Sequence, residues 1–470
     1  MLAYLIISVL LAVAPLFLRT ERATKIVAAL FFLVQVASIA AILYFQRVDS
    51  VMLSLFRADT MAVLFHILMT VVLGFTLVHS SSYLKEDGVS TRSYRAYYMI
   101  LMLLAVAITC VYYSDNVAMT WVFLEATTIC SAGIIYHREF RQSLEATWKY
   151  IFVCSTGIAM AYLGILLLST VATEGSLDYE SLREAITEGN PLYLKVAFLL
   201  IVVGYSCKME IFPLYTVGID ANFAAPAPAS AFISTALVNA GFVSIYRIYS
   251  LYAPTGEVFE WARHVLILIG ILSLAVGAMF LRRTNNYKRF LSYSTVENMG
   301  IVCIGMGIGG LALWAAVFHV VSHTFVKSSM FFHVGVMRHV YDSYSINRIG
   351  NYMNINRIGA LGLIVGTLVL LAFPPSPLFL SEVMIFSELV GIGSWWLLAL
   401  MLVLMCVVIY AIWSRTLRLS YHSNQDELHL SAVNRRLSYF ASILLIIALI
   451  IGVWQPEVLT KAIDTIVNIA

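Results

Sequence analysis

Gly204-Tyr-Ser-Cys-Lys208-Met-Glu-Ile-Phe-Pro213-Leu-Tyr215 sets a lysine between a long apolar run and a helix-breaking proline. The run before it, Tyr193 to Val203, is nearly all apolar, so Lys208 is expected well down a transmembrane helix, where a charge costs about 2.5–3.5 kcal/mol on insertion scales. Pro213 removes a backbone donor and interrupts the helix. Broken helices persist in a bilayer only where protein or a water-filled cavity satisfies the freed backbone groups. An intramembrane lysine beside such a break therefore reads as an element of an ion path. The plainer alternative is a lysine that snorkels or pairs.

Composition points the same way. The chain is 61% hydrophobic with mean hydropathy +0.88 and only 12% charged residues, against about 25% charged in soluble domains, so a polytopic membrane protein is expected. The first apolar run leads straight to another span and is read as a retained helix rather than a signal peptide. The basic residues are spread over the loops, so the net charge of +3 gives no reason to expect a nucleic-acid partner. Six cysteines (Cys110, Cys130, Cys154, Cys207, Cys303, Cys406) are scattered with no C-x-x-C pair. That spacing argues against a metal cluster or a disulfide frame, and no cofactor is expected.

Apolar stretches of about 20 residues fall at 2–18, 26–45, 60–82, 96–114, 117–136, 149–172, 192–212, 229–250, 262–281, 289–308, 311–337, 358–389, 395–414 and 438–455. An all-α protein with about fourteen transmembrane helices in one membrane domain, residues 1–470, is the fold expected from them. Basic residues concentrate in the odd-numbered loops, for instance Arg19, Arg22 and Lys25 in the first and Arg282, Arg283 and Lys288 in the ninth. Loop six is acidic (Glu174, Asp178, Glu180, Glu184, Glu188), and loops four, ten and twelve have no basic residue. Positive charge stays on the cytoplasmic side, so both termini are expected outside the cytoplasm.

Charges inside the spans need a use or a partner. Span five reads Trp121-Val-Phe-Leu-Glu125, a carboxylate in mid-membrane. Span eleven reads His319-x3-His323-x3-Lys327, and the i, i+4, i+8 spacing stacks three titratable groups on one helical face. A metal site is the rival for the two histidines, but no third ligand follows at helical spacing, and a proton relay fits better. Span twelve contains Phe373-Pro-Pro-Ser-Pro377-Leu-Phe-Leu-Ser-Glu382, a second broken helix beside a carboxylate. Two Pro-interrupted helices, one in each half, are the expected mark of an inverted-repeat transporter.

These residues carry a family resemblance. The chain resembles the antiporter-like, proton-translocating subunits of respiratory complex I and membrane-bound hydrogenases, and is most similar to the component F group of hydrogenase-4 and formate hydrogenlyase-type complexes. The motifs are Trp121-Val-Phe-Leu-Glu125, Lys208 with Pro213-Leu-Tyr, Asp220-Ala with Ala225-Pro-Ala-Pro-Ala-Ser-Ala231, Tyr287-Lys-Arg-Phe-Leu-Ser-Tyr-Ser-Thr-Val-Glu-Asn-Met-Gly300, His319-x3-His323-x3-Lys327, and Pro374-Pro-Ser-Pro-Leu-Phe-Leu-Ser-Glu382.

The resemblance implies two inverted five-helix repeats, spans four to eight (residues 95–250) and nine to thirteen (258–420), broken at spans seven and twelve. It implies that Glu125 and Lys208 are the ion pair of the first half, Lys327 the central lysine and Glu382 the terminal acid, with His319 and His323 extending the relay. A carboxylate that moves toward or away from a buried lysine switches its proton affinity.

Two departures stand out. Many relatives carry a linking lysine or histidine in span eight, where this chain has Asn239, so water or a hydroxyl such as Ser234 is expected to serve instead. The common Thr-Trp-Leu-Pro-Asp-Ala run reads Thr216-Val-Gly-Ile-Asp-Ala221. The long lateral helix of some relatives is expected to be missing after span fourteen. Lys149, Arg247, Glu210 and Glu388 sit near expected helix ends, as interface anchors or relay members.

The function implied is that of a proton-translocating, non-redox subunit of a complex I-like or group 4 NiFe-hydrogenase-like complex in the cell (inner) membrane, among other membrane and peripheral subunits and the lipid bilayer. The alternatives are a component of a multi-subunit Na+/H+ antiporter and a partner in bicarbonate uptake. Ser292-Tyr-Ser-Thr-Val-Glu297 leans toward the hydrogenase-like group.

Overall fold

The computed structural model describes residues 2–45, 50–53, 55–138, 141–172, 175–421 and 434–468; Glu174, one of the acids expected in loop six, lies outside them. The helices are Leu2–Val13 (α1), Glu21–Tyr44 (α2), Thr60–Glu86 (α3), Thr91–Tyr113 (α4), Val117–Ile135 (α5), Arg141–Leu168 (α6), Tyr179–Ala185 (α7), Pro191–Met209 (α8), Thr216–Ala224 (α9) and Ala227–Phe232 (α10). They continue as Val238–Leu251 (α11), Glu257–Leu281 (α12), Tyr287–Ile308 (α13), Gly310–Tyr341 (α14), Tyr352–Ile355 (α15), Arg357–Leu370 (α16), Pro377–Gly391 (α17), Trp395–Tyr421 (α18), Arg435–Trp454 (α19) and Glu457–Val467 (α20). A single hairpin of two short strands, Ser50–Leu53 (β1) and Phe56–Ala58 (β2), is the sheet among the described residues.

Among the described residues, eleven helices are long and apolar enough to cross a membrane. The other expected spans differ for local reasons. Leu2–Phe17 and Arg357–Leu370 are apolar but short, α17 is the second arm of a broken helix, and the first half of α13 is polar, with Ser292, Ser294, Thr295, Glu297 and Asn298. The long polar insertion of loop six holds the short helix α7.

The starts of these helices are written in the sequence. Thr20, Asp59, Ser90 and Asn116 accept first-turn amides of α2, α3, α4 and α5, and Asn190 does so for α8 with Pro191 at the first helical position. Each satisfies an orphan donor, typically worth about 1 kcal/mol.

The chain forms two compact units. In the first (Met1–Ala225, Ala236–Val265 and Asp464–Ala470), α6 and α8 are in the most intimate contact. A Cβ on Gly204 would meet the Gly157 carbonyl at 2.3 Å, so only glycine permits this backbone approach, the small-residue packing by which membrane helices associate. The helix α8 stops at Glu210, which takes a left-handed conformation (φ 57°), and the chain resumes as α9 after Pro213. The break expected around Lys208 is therefore present.

In the second unit (Pro226–Thr235 and Leu266–Ile463), α14 is the axis. It runs 32 residues, and α10, α13, α16, α17 and α19 pack around it, so its middle is buried on every side. Leu274, Ile301, Ile304, Ala312, Ile385 and Leu389 form an apolar cluster beside it. The second expected break lies between α16 and α17, where Ser376 accepts the Phe379 amide (3.2 Å) and Pro377 opens the new helix. A five-residue π-helical segment, Ile233–Leu237, joins α10 to α11; such wide turns occur often at functional sites.

Candidate functional site

Each unit holds its own line of buried polar groups. In the first, the Lys208 ammonium donates to the Thr128 hydroxyl (2.7 Å), and that hydroxyl donates to the Glu125 carboxylate (3.2 Å). The Ser155 hydroxyl donates to the other Glu125 oxygen (2.7 Å). The Tyr150 ring lies 5.5 Å from the Lys208 nitrogen, within cation–π range. Glu125 and Lys208, expected as a direct ion pair, thus stand at the two ends of a hydroxyl bridge. The physical reason is helical spacing: Thr128, one turn after Glu125 on α5, lies on the same face and occupies the gap. Lys208 is 1% exposed, while Glu125 is half-buried.

In the second unit, α14 presents His319, His323 and Lys327, all 1% exposed or less. The Lys327 ammonium donates to the Leu291 carbonyl (3.0 Å). Thr295 donates to that same carbonyl (3.3 Å) and shares a hydrogen bond with Ser234 (3.0 Å), while Ser328 donates to Thr235 (3.2 Å). The π-helical segment therefore meets α13 and α14 through hydroxyls, Ser234 among them.

A second string runs through His319. Asn298 uses its amide hydrogens on the Glu297 carboxylate (2.5 Å) and the Ser294 carbonyl (2.7 Å). Its oxygen therefore faces Nε2 of His319 (3.0 Å), which must carry a hydrogen. Nδ1 of His319 meets the Ser381 hydroxyl (2.9 Å), and Ser381 also reaches the Leu378 carbonyl (2.8 Å). With the ring neutral, Ser381 donates to Nδ1. With the ring protonated, Nδ1–H donates to Ser381, which turns its hydrogen to Leu378. Both protonation states keep every partner, and a hydroxyl rotation interconverts them. Glu382 follows Ser381 directly and is 4% exposed. Nε2 of His323 has no hydrogen-bond partner among the described residues.

Glu297, Asn298, Thr128 and Ser155 were not among the residues expected at the site. Glu297 and Asn298 lie inside the motif run 287–300, and a carboxylate in the middle of an expected span is the same signal that singled out Glu125. Thr128 and Ser155 carry no such signal, because hydroxyls are common in membrane helices and only packing decides which ones face a charge.

The four residues left between anchor and relay divide. Lys149 is an exposed partner of Glu145 on the same helix. Glu388 is half-buried at the Gly310 end of α14. Arg247 is buried and donates to the carbonyls of Ser114 (2.6 Å), Tyr112 (2.7 Å) and Val111 (3.4 Å) and to Asp59 (2.9 Å). It neutralises the open C-terminal end of α4 while Asp59 caps α3. Arg57, Asp59, Asp115, Tyr179, Glu180, Arg183 and Arg247 line a cavity of about 510 Å³ there. Burial holds the Asp115 carboxyl above its ordinary value, against the pull of Arg57 and Arg247. Glu210, the fourth, is 2% exposed.

Residues 114–408 match the model of the family described as NADH:quinone oxidoreductase/Mrp antiporter, TM. The hydrogenase-4 component F homolog of Methylacidiphilum infernorum is 28% identical over 347 residues, 71% of this chain and 72% of that protein. A Na(+)/H(+) antiporter subunit from Alkalihalophilus pseudofirmus is 28% identical over 352 residues, 70% of this chain but 42% of that protein, so the chain matches less than half the length of that relative. Among solved structures, a chain of the membrane-bound sulfane sulfur reductase, an archaeal respiratory membrane complex, superposes with a TM-score of 0.87 at 21% identity, covering 99% of this chain and 96% of that one. A chain of respiratory complex I from Thermus thermophilus gives 0.79 at 20% identity, covering 97% and 98%.

Proposed function

Because the chain belongs to the NADH:quinone oxidoreductase/Mrp antiporter transmembrane family, as one of its antiporter-like membrane subunits, we propose that it carries protons across the cell membrane through the two polar lines. Glu125 and Lys208 exchange a proton through Thr128 in the first unit. Lys327, His319 and His323, with Glu297 now added and Glu382 at the far end, carry it in the second. The chain holds no redox centre of its own in this reading. Neighbouring subunits of a complex I-like or hydrogenase-like assembly supply the driving reaction.

The observation that carries the reading is Lys327. Its ammonium is fully buried on a helix enclosed on every side at its middle, with the Leu291 carbonyl as a ligand and a hydrogen-bonded string through His319 beside it. Burying a charge in this way is expensive and marks a proton or ion path in membrane proteins. Replacing Lys327 by methionine keeps the stem and removes the titratable group. The complex should assemble and retain electron transfer while losing proton uptake into sealed vesicles. Undiminished pumping, with the level of the variant in the membrane confirmed, would refute the role.

The same reading includes fourteen crossings, two inverted repeats (95–250 and 258–420) and both termini on the non-cytoplasmic side. The breaks after α8 and α16, one in each stretch, support the repeats. Reporter fusions after residues 90 and 180 should give opposite compartments, and identical signals would refute the topology. The similarity to the Na(+)/H(+) antiporter relative favours a second reading, sodium/proton exchange, which predicts that vesicle acidification depends on sodium.

A further inference from the structure

We propose that Glu210 is a proton-carrying residue of the first unit, standing in for the basic side chain that relatives place in span eight; the inference rests on the proton-translocation reading above. Glu210 is a carboxylate buried to 2% exposure in a membrane chain, beside the helix break, and such a residue needs a use or a partner. Its backbone is left-handed, a conformation that costs a side-chain-bearing residue about 1–2 kcal/mol and persists only where the surroundings impose it. That conformation carries the side chain toward α9 instead of along the α8 face. There its Oε1 accepts from the Asn222 amide (2.9 Å). A Cβ on Gly218 would come within 2.4–2.5 Å of the carboxylate, so α9 leaves room for this group and for nothing larger.

The same break gathers the other groups a transfer needs. Lys208 lies two residues before Glu210, and the Tyr150 ring faces the Lys208 ammonium (5.5 Å). A Cβ on Gly241 would meet the backbone of Lys208 and Met209 at 2.5–2.6 Å, so glycine brings α11 directly onto the end of α8. Asn239, two residues earlier on α11, is 1% exposed, and its amide does not titrate. At this point α11 thus offers an amide that does not titrate, and a buried acid sits on the neighbouring element. A proton that leaves the Lys208 ammonium and arrives on the Glu210 carboxylate converts two charges into a neutral amine and a neutral acid. A proton from a protonated Glu125 carboxyl then passes through the Thr128 hydroxyl to the lysine amine, leaving Glu125 as the carboxylate, and Glu210 releases its proton onward before the next transfer.

The test uses the whole membrane complex in sealed vesicles. Glu210→Gln keeps the size, the backbone and an acceptor for Asn222, and should lower proton pumping about tenfold or more while the protein level and electron transfer persist. Asn239→Lys, added to that variant, should restore pumping in part, because it returns a titratable group to α11; a packing role would not respond to it. The reaction-induced infrared difference spectrum should lose a carboxyl band in Glu210→Gln. Full pumping by Glu210→Gln would overturn the proposal, as would a loss that Asn239→Lys does not relieve with the carboxyl band still present. A wild-type complex that moves no protons would refute the function proposed above, and this inference with it.

Discussion

Thr128→Val is the sharpest probe of the first polar line. Valine replaces the hydroxyl by a methyl at nearly constant volume, so packing on α5 is kept and only the bridge is lost. The Lys208 ammonium donates to Thr128 (2.7 Å), and the Tyr150 ring lies 5.5 Å from it. A hydrogen bond to a charged group is worth about 1.5–3 kcal/mol, whereas a cation–π contact returns about 0.5–2 kcal/mol and is present already. Glu125 keeps its bond from Ser155. The substitution should therefore cost the charged form of the lysine about 2 kcal/mol, or roughly 30-fold in any equilibrium that requires it, with a smaller loss at Glu125, whose bond from Thr128 (3.2 Å) is the longer of its two. Proton pumping in sealed vesicles should drop by that order, with Thr128→Ser close to wild type. Thermal unfolding of the purified complex provides the control. In a Lys208→Met background no ammonium remains to be stranded, so adding Thr128→Val should lower stability by much less than it does alone. Equal losses in both backgrounds would show that the hydroxyl matters for its own helix, and that the bridge does not couple Glu125 to Lys208.

Two further outcomes follow from the ionic cavity of the first unit. Arg247→Lys retains the charge but cannot reach the four acceptors that the guanidinium spans, so a loss of about 2–4 kcal/mol is expected in denaturation of the complex; an unchanged transition would mean that the carbonyls of the α4 terminus are solvated equally well by other means. For Asp115 the raised carboxyl means that the folded state holds the proton more tightly than the unfolded chain. It therefore contributes stability that is present below the ordinary aspartate value near about 4 and is lost as pH rises through the elevated one. Asp115→Asn should flatten that part of the profile of melting temperature against pH, and superimposable profiles would refute the assignment.

The class and the breaks were legible in the sequence because a bilayer leaves few choices. Without water, every backbone group must be satisfied internally, so long apolar runs can only be helices; Pro213 and the prolines at 374 and 375 mark where they break, and Pro377 opens the next one. Mid-span charges were legible for the same reason, and they placed Lys208, Lys327, His319, His323 and Glu382 among buried residues without any coordinates. What the tertiary structure decided is which neutral groups those charges touch. Thr128 stands between Glu125 and Lys208, Asn298 and Ser381 hold the two nitrogens of His319, and Glu210 turns under Gly218 because its backbone is left-handed. Hydroxyls and amides are cheap enough in a membrane helix to occur anywhere, so their positions in sequence carry little information. Close glycine contacts such as Gly204 on Gly157 and Gly241 on the end of α8 fix which of them meet. A short-range, directional hydrogen bond is set by packing to within a fraction of an ångström, a precision that hydropathy and helical period do not reach.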